Sequence, residues 1–95
     1  MSVSLSLSSR VRISEHTLFH ELHGETVLLE LSRGIYYGLD EVGTRIWRCL
    51  GEGRSLHDAV AALVDEYDVT ERQCAEDVLA LVQELEERRL IEISG

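Results

Sequence analysis

The apolar residues of this chain change period once, at Leu39, and that change limits the folds open to it. Before Leu39 they alternate with polar residues, the two-residue period of a strand. Beyond it they recur every three to four residues, the period of a helix with one buried face. A chain of 95 residues has room for one core. Strands and helices must then pack against each other, and an α+β architecture follows.

Val3, Leu5 and Leu7 alternate with serines, and Val11 and Ile13 follow a short polar break, so residues 1–16 read as an N-terminal arm or strand. Residues 17–95 read as the domain proper. Thr17–His23 is expected as a strand closed by Gly24, and Thr26–Leu31 as its hairpin partner, with Val27, Leu29 and Leu31 on one face. Ser32-Arg33-Gly34 supplies a three-residue turn into a third strand, Ile35–Leu39.

Asp40 is placed to cap a first helix carrying Val42, Ile46, Cys49 and Leu50, which Gly51 and Gly53 end. Ser55, with Asp58 three residues on, starts a second helix through Val60, Leu63, Val64 and Tyr67. Thr70 and Gln73 form a capping box for the third, with Val69 and Cys74 at the positions of a hydrophobic staple. Its apolar stripe, Cys74, Ala75, Val78, Leu79, Leu81, Val82 and Leu85, is wider than one packing contact requires. Leu90–Ile93 alternates again and reads as a closing strand. The expected layout is a three-stranded antiparallel sheet followed by three helices, winged helix-turn-helix-like in outline.

No run of about 18 apolar residues exists to span a bilayer. The amino end lacks the basic start and apolar core of a secretory signal. A soluble, cytoplasmic protein with no membrane partner is expected, in which Cys49 and Cys74 are free thiols filling the core. Nearly all of the net charge of −9 falls on residues 35–95. Such a surface repels phosphate backbones, and the third helix sets Arg72, Arg88 and Arg89 against six acids. A winged-helix DNA-binding regulator is therefore disfavoured, and no nucleic-acid partner is expected.

Residues suited to catalysis do not assemble. On a strand His16 and His20 share one face and His23 lies on the other, so a three-histidine metal site fails geometrically. A cysteine hydrolase would need one of the cysteines beside a histidine and an orienting carboxylate, yet both fall on apolar helical stripes that ought to be buried. No nucleophile elbow, phosphate-binding loop or zinc-protease motif occurs. Neither a catalytic residue, a metal nor a cofactor is expected. The third strand stands out instead. Ile35-Tyr36-Tyr37-Gly38-Leu39 is apolar on both faces and ends the meander, so it should leave a row of main-chain groups unpaired for a visiting strand.

The stretch from Leu28 to Ile93 resembles the pyrroloquinoline quinone biosynthesis protein D (PqqD) family, and within it the stand-alone recognition elements of lasso-peptide pathways. Four features carry the resemblance: the strand end G-I-Y-Y-G-L-D, the helix I-W-x-x-L-G-E-G, the helix D-x-V-A-A-L-V-x-E-Y and the finish D-V-x-x-L-V-x-x-L-x-x-R-x-L-I. Trp47 and Leu50 match positions that are structural in the family. The resemblance implies a non-enzymatic protein that takes the leader of a ribosomally made precursor peptide as an added strand. Ile35, Tyr36, Tyr37 and Gly38 would be the strand partner, with Cys74, Asp77, Val78, Leu81 and Glu84 as the facing ridge of the third helix. Asp77 and Glu84 would steer basic leader groups. It also implies a separate leader peptidase of the cysteine-protease class and an ATP-dependent cyclase as partners. A carrier subunit for a radical peptide-modifying enzyme in cofactor biosynthesis is the alternative within the family.

Overall fold

The computed structural model describes Leu7 and residues 9–94. Its elements run β1 (Arg10–Ile13), β2 (Thr17–Leu22), β3 (Glu25–Glu30), β4 (Ile35–Leu39), α1 (Glu41–Gly51), α2 (Leu56–Glu66), α3 (Glu71–Glu87) and β5 (Ile91–Ser94). The expected α+β layout holds: β2, β3 and β4 form an antiparallel sheet in that order, and three helices follow. A second, two-stranded sheet pairs β1 with β5, joining Val11 to Ile93 and Ile13 to Ile91 across the whole chain. The expected closing strand thus has a partner, the C-terminal part of the N-terminal arm. Val3 and Leu5 lie outside the described residues.

The same arm closes the start of α2. The Leu56 amide donates to the Ser9 carbonyl at 3.1 Å and the His57 amide to the Leu7 carbonyl at 2.8 Å. These are first-turn amides with no partner inside the helix, so the arm satisfies what a cap alone would leave open.

Both turns differ from the expected ones for conformational reasons. His23 and Gly24 have φ of 55° and 81°. They form a two-residue primed turn whose twist suits a hairpin, so β2 ends at Leu22. The second connection is four residues, Leu31–Gly34, with Gly34 at φ 66° donating to the Glu30 carbonyl at 2.8 Å. The Glu30 carboxylate, buried under the loop, accepts from the Ser32 and Arg33 amides at 2.9 and 3.0 Å. Leu31 is therefore a loop residue.

The face of β3 that reaches the core is Thr26, Leu28 and Glu30, while Val27 is 50% exposed on the other side. Val27-Leu28-Leu29 is apolar on both sides, so alternation could not tell inside from outside. The inward threonine hydroxyls are bonded. Thr26 Oγ1 and Thr44 Oγ1 are 2.8 Å apart, and Thr17 Oγ1 donates to the Leu90 carbonyl at 3.0 Å. Buried hydroxyls with partners cost little, which is what lets them replace hydrocarbon here.

All three helix starts are where the caps put them. Asp40, Ser55 and Thr70 accept from the amides of Gly43, Asp58 and Gln73. The Gln73 side chain does not complete the reciprocal box; its amide donates forward to Asp77 at 3.0 Å. Leu28, Leu50, Leu56, Leu63, Val78, Val82, Leu85 and Leu90 make the core between sheet and helices. Cys49 and Cys74 are buried free thiols within it. Among the described residues no helix is long and apolar enough to cross a membrane.

Candidate functional site

Strand β4 is an edge, paired with β3 alone among the described residues. The direction of its free groups follows from one hydrogen bond. The Leu31 amide donates to the His16 carbonyl at 2.8 Å, which fixes the parity of the β2–β3 ladder in the register Thr17↔Glu30. Residues 25, 27 and 29 then bond to β2, and residues 26, 28 and 30 to β4, because bonded and non-bonded pairs alternate in an antiparallel ladder. Glu30, Leu28 and Thr26 stand opposite Ile35, Tyr37 and Leu39. Those three β4 residues spend their main-chain groups on β3. Tyr36 and Gly38 direct theirs outward.

The side chains of β4 alternate with the same parity. Ile35 and Tyr37 turn inward and are half-buried, while Tyr36 is 70% exposed on the outer face. A Cβ built on Gly38 would meet nothing within 4 Å, so the strand has open space beside it there.

Next to this edge lies an open cavity of about 510 Å³ where β4, α1 and α3 meet. Leu39 and Ile46 form its depth, Leu81 a wall, and Asp40 and Asp77 its rim. Of the expected ridge, Asp77 and Leu81 reach the cavity together with Tyr37 and Gly38. Glu84 lies further along α3, where its carboxylate accepts from Arg88 Nη2 at 3.0 Å and from the Tyr37 hydroxyl. The Arg88 guanidinium stacks over the Tyr37 ring at 5.0 Å. One end of the groove is thus closed by a hydrogen-bonded, stacked trio. Cys74 and Val78 lie elsewhere: they are 5% and 0% exposed, and Cys74 Sγ sits 3.9 Å from the Val60 carbonyl. On α3 these two residues face the core, beneath the groove.

Asp40, Val42 and Ile46 were missed as groove residues. The signal was present, since a cap residue directly after an edge strand has to sit beside that strand's end.

The bond from Arg88, then that from Tyr37, holds the Glu84 carboxyl below the usual carboxylate range. Burial, followed by the bond to Glu84, pushes the Tyr37 phenol up. A carboxyl whose folded value is depressed stabilises the fold above its ordinary value of 4.5 and loses that contribution as pH falls through the folded value. Glu84→Gln should therefore be less stable than the parent in urea at neutral pH, and the gap should close as the pH falls below 4.5 and through the depressed folded value.

Burial, with Asp77 nearby, raises the Cys74 thiol, which disfavours the nucleophilic thiolate. His20 lies on β2 and His23 in the turn, and the described residues hold no cluster of metal-ligating side chains.

Comparison with known proteins bears on the same region. The model of the family "Coenzyme PQQ synthesis protein D (PqqD)" matches residues 25–91, which span β3 to the start of β5. A PqqA binding protein of Rhizobium meliloti (strain 1021) is 34% identical over 91 residues, 94% of this chain and 91% of that protein. Two solved structures share the fold. TbiB1 in complex with the TbiA(beta) leader peptide superposes with a TM-score of 0.82 at 36% identity, over 85% of this chain and 94% of that one. A lasso peptide synthetase B1 complexed with the leader peptide gives 0.81 at 26% identity, over 87% and 98%. With the family model matching residues 25–91, from β3 to the start of β5, the chain belongs to the PqqD family.

Proposed function

We propose that this protein binds the leader segment of a ribosomally made precursor peptide, in the cytoplasm where such precursors are synthesised, and presents it to separate processing enzymes. The leader adds to β4 as an antiparallel strand. Tyr36 and Gly38 supply the main-chain bonds, Ile35 and Tyr37 flank them, and leader side chains enter the groove toward Asp77, Leu81 and Glu84. Cys74 and Val78 support α3 from below. Residues 17–95 are taken as the recognition domain and 1–16 as an arm. In the order of its elements the domain is winged helix-turn-helix-like. The observation that carries the reading is the outward pair on β4 beside a cavity with an apolar depth.

The processing partners in this reading are a cysteine-protease leader peptidase and an ATP-dependent cyclase. The outer face of the sheet supports a protein partner, because Leu18, Leu22 and Val27 are 56%, 59% and 50% exposed there beside Tyr36. A leader strand on β4 extends that face, so one enzyme surface can touch sheet and leader together. Leu18→Lys should leave leader affinity unchanged and slow leader removal by about tenfold, a loss of roughly 1.4 kcal/mol in docking. Leader removal followed by mass spectrometry checks this.

The likeness to a PqqA binding protein over 94% of the chain favours a second reading, a carrier for a radical peptide-modifying enzyme. Fluorescence polarisation with labelled leader from the precursor encoded beside this chain, a PqqA-type peptide and a scrambled control separates the two. Selective binding of the first supports the lasso-type reading and of the second the carrier. Binding of neither by folded protein removes both.

A further inference from the structure

Resting on the leader-binding reading, we infer that the cavity between β4, α1 and α3 selects a leader residue with an aliphatic stem and a cationic head, lysine or arginine. The cavity has two zones. Its depth is hydrocarbon, with Leu39 and Ile46 at the floor and Leu81 at the side. Its rim carries two carboxylates, Asp40 from the start of α1 and Asp77 from α3.

Among the described residues no cation pairs with the charges on that rim. Seven acidic side chains form ion pairs among the described residues, all of them glutamates, and neither rim aspartate takes part. Asp40 Oδ1 accepts from the Gly43 amide at 2.8 Å, and Asp77 Oδ1 from the neutral amide of Gln73 at 3.0 Å. Of the guanidiniums on α3 and at its end, Arg88 is taken up by Glu84 and Tyr37, and Arg72 pairs with Glu76. Glu84, expected from sequence to steer basic groups, is therefore already neutralised, and the role passes to Asp40 and Asp77.

A wholly apolar leader side chain would fill the depth and leave two carboxylates partly desolvated without a partner, which is unfavourable. An acidic one would be repelled. A lysine or arginine satisfies both zones, burying its methylene stem while its head stays at the wet rim. The net charge of −9 on the whole chain acts in the same direction, by attracting a basic segment before contact.

The test uses the synthetic leader of the precursor encoded beside this chain, with each lysine or arginine replaced singly by norleucine, which keeps a stem and removes the charge. Each peptide is titrated by fluorescence polarisation against the parent protein, Asp77→Asn, Asp40→Asn and the control Glu76→Gln. Asparagine caps a helix as well as aspartate does, so Asp40→Asn preserves α1. One peptide position should lose about tenfold in affinity on the parent and on Glu76→Gln, and at most about twofold on Asp77→Asn, with Asp40→Asn between them. A leader that binds tightly with no such position, or with equal losses on Asp77→Asn and Glu76→Gln, overturns the inference and leaves leader binding standing. A leader that does not bind the parent protein removes both.

Discussion

Replacing Tyr36 by proline should abolish strand addition while the domain stays folded. The Tyr36 amide points away from β3, so its loss removes no bond of the sheet. Proline is tolerated on an edge strand when the missing N–H faces outward, and Ile35 before it is already extended, as proline requires. A visiting strand loses an acceptor contact of about 1 kcal/mol and meets the proline ring where its backbone would lie. Leader affinity should fall by about a hundredfold, near 2.7 kcal/mol, with the melting temperature moving by no more than a few degrees. Two comparison variants fix the interpretation. Tyr36→Ala keeps the amide and removes only the exposed ring, so its loss should be smaller. Tyr37→Pro removes an amide bonded to Leu28 in the ladder and should unfold the sheet.

A charge on α3 should have opposite consequences at two neighbouring positions. Val78 is fully buried in the core, and Val78→Asp would place an unpaired carboxylate there. Such a group costs about 3–5 kcal/mol, a large part of the roughly 5–15 kcal/mol that holds a small domain together. The melting temperature should drop by roughly 15 °C or more, and binding should be lost only because the fold is. Leu81 is half-buried and walls the groove, so Leu81→Asp can keep its carboxylate in water. That variant should melt close to the parent and bind leader at least tenfold more weakly. Circular dichroism melts and polarisation titrations on both proteins check the pair.

The contrast between Val78 and Leu81 also marks where sequence reasoning ran out. Helix starts were legible because capping is local: Asp40, Ser55 and Thr70 each bond an amide three residues on. The edge strand was legible because it ends the meander. What α3 presents to the groove was not, since its apolar stripe covers two directions at once. Cys74, Val78, Val82 and Leu85 turn into the core and leave Leu81 toward β4. Helical spacing shows that such residues share a broad face and does not show which part of it is covered. The pairing of β1 with β5 was illegible for another reason. It joins residues some eighty positions apart, as Arg12 and Glu92 are, and no local signal encodes that distance. The inward face of β3 was hidden because Thr26 and Glu30 are polar, and only their partners, Thr44 and the amides after Glu30, explain their burial.

Amide hydrogen exchange, followed residue by residue by NMR with and without bound leader, separates the β4 edge from every other surface. Without leader, the Tyr36 and Gly38 amides should exchange quickly, while those of Tyr37 and Leu39, bonded to β3, are protected. With leader, Tyr36 and Gly38 should become protected and the β2 edge should not change. New protection along β2, or none on β4 with the leader demonstrably bound, would place the leader elsewhere and contradict strand addition at this edge.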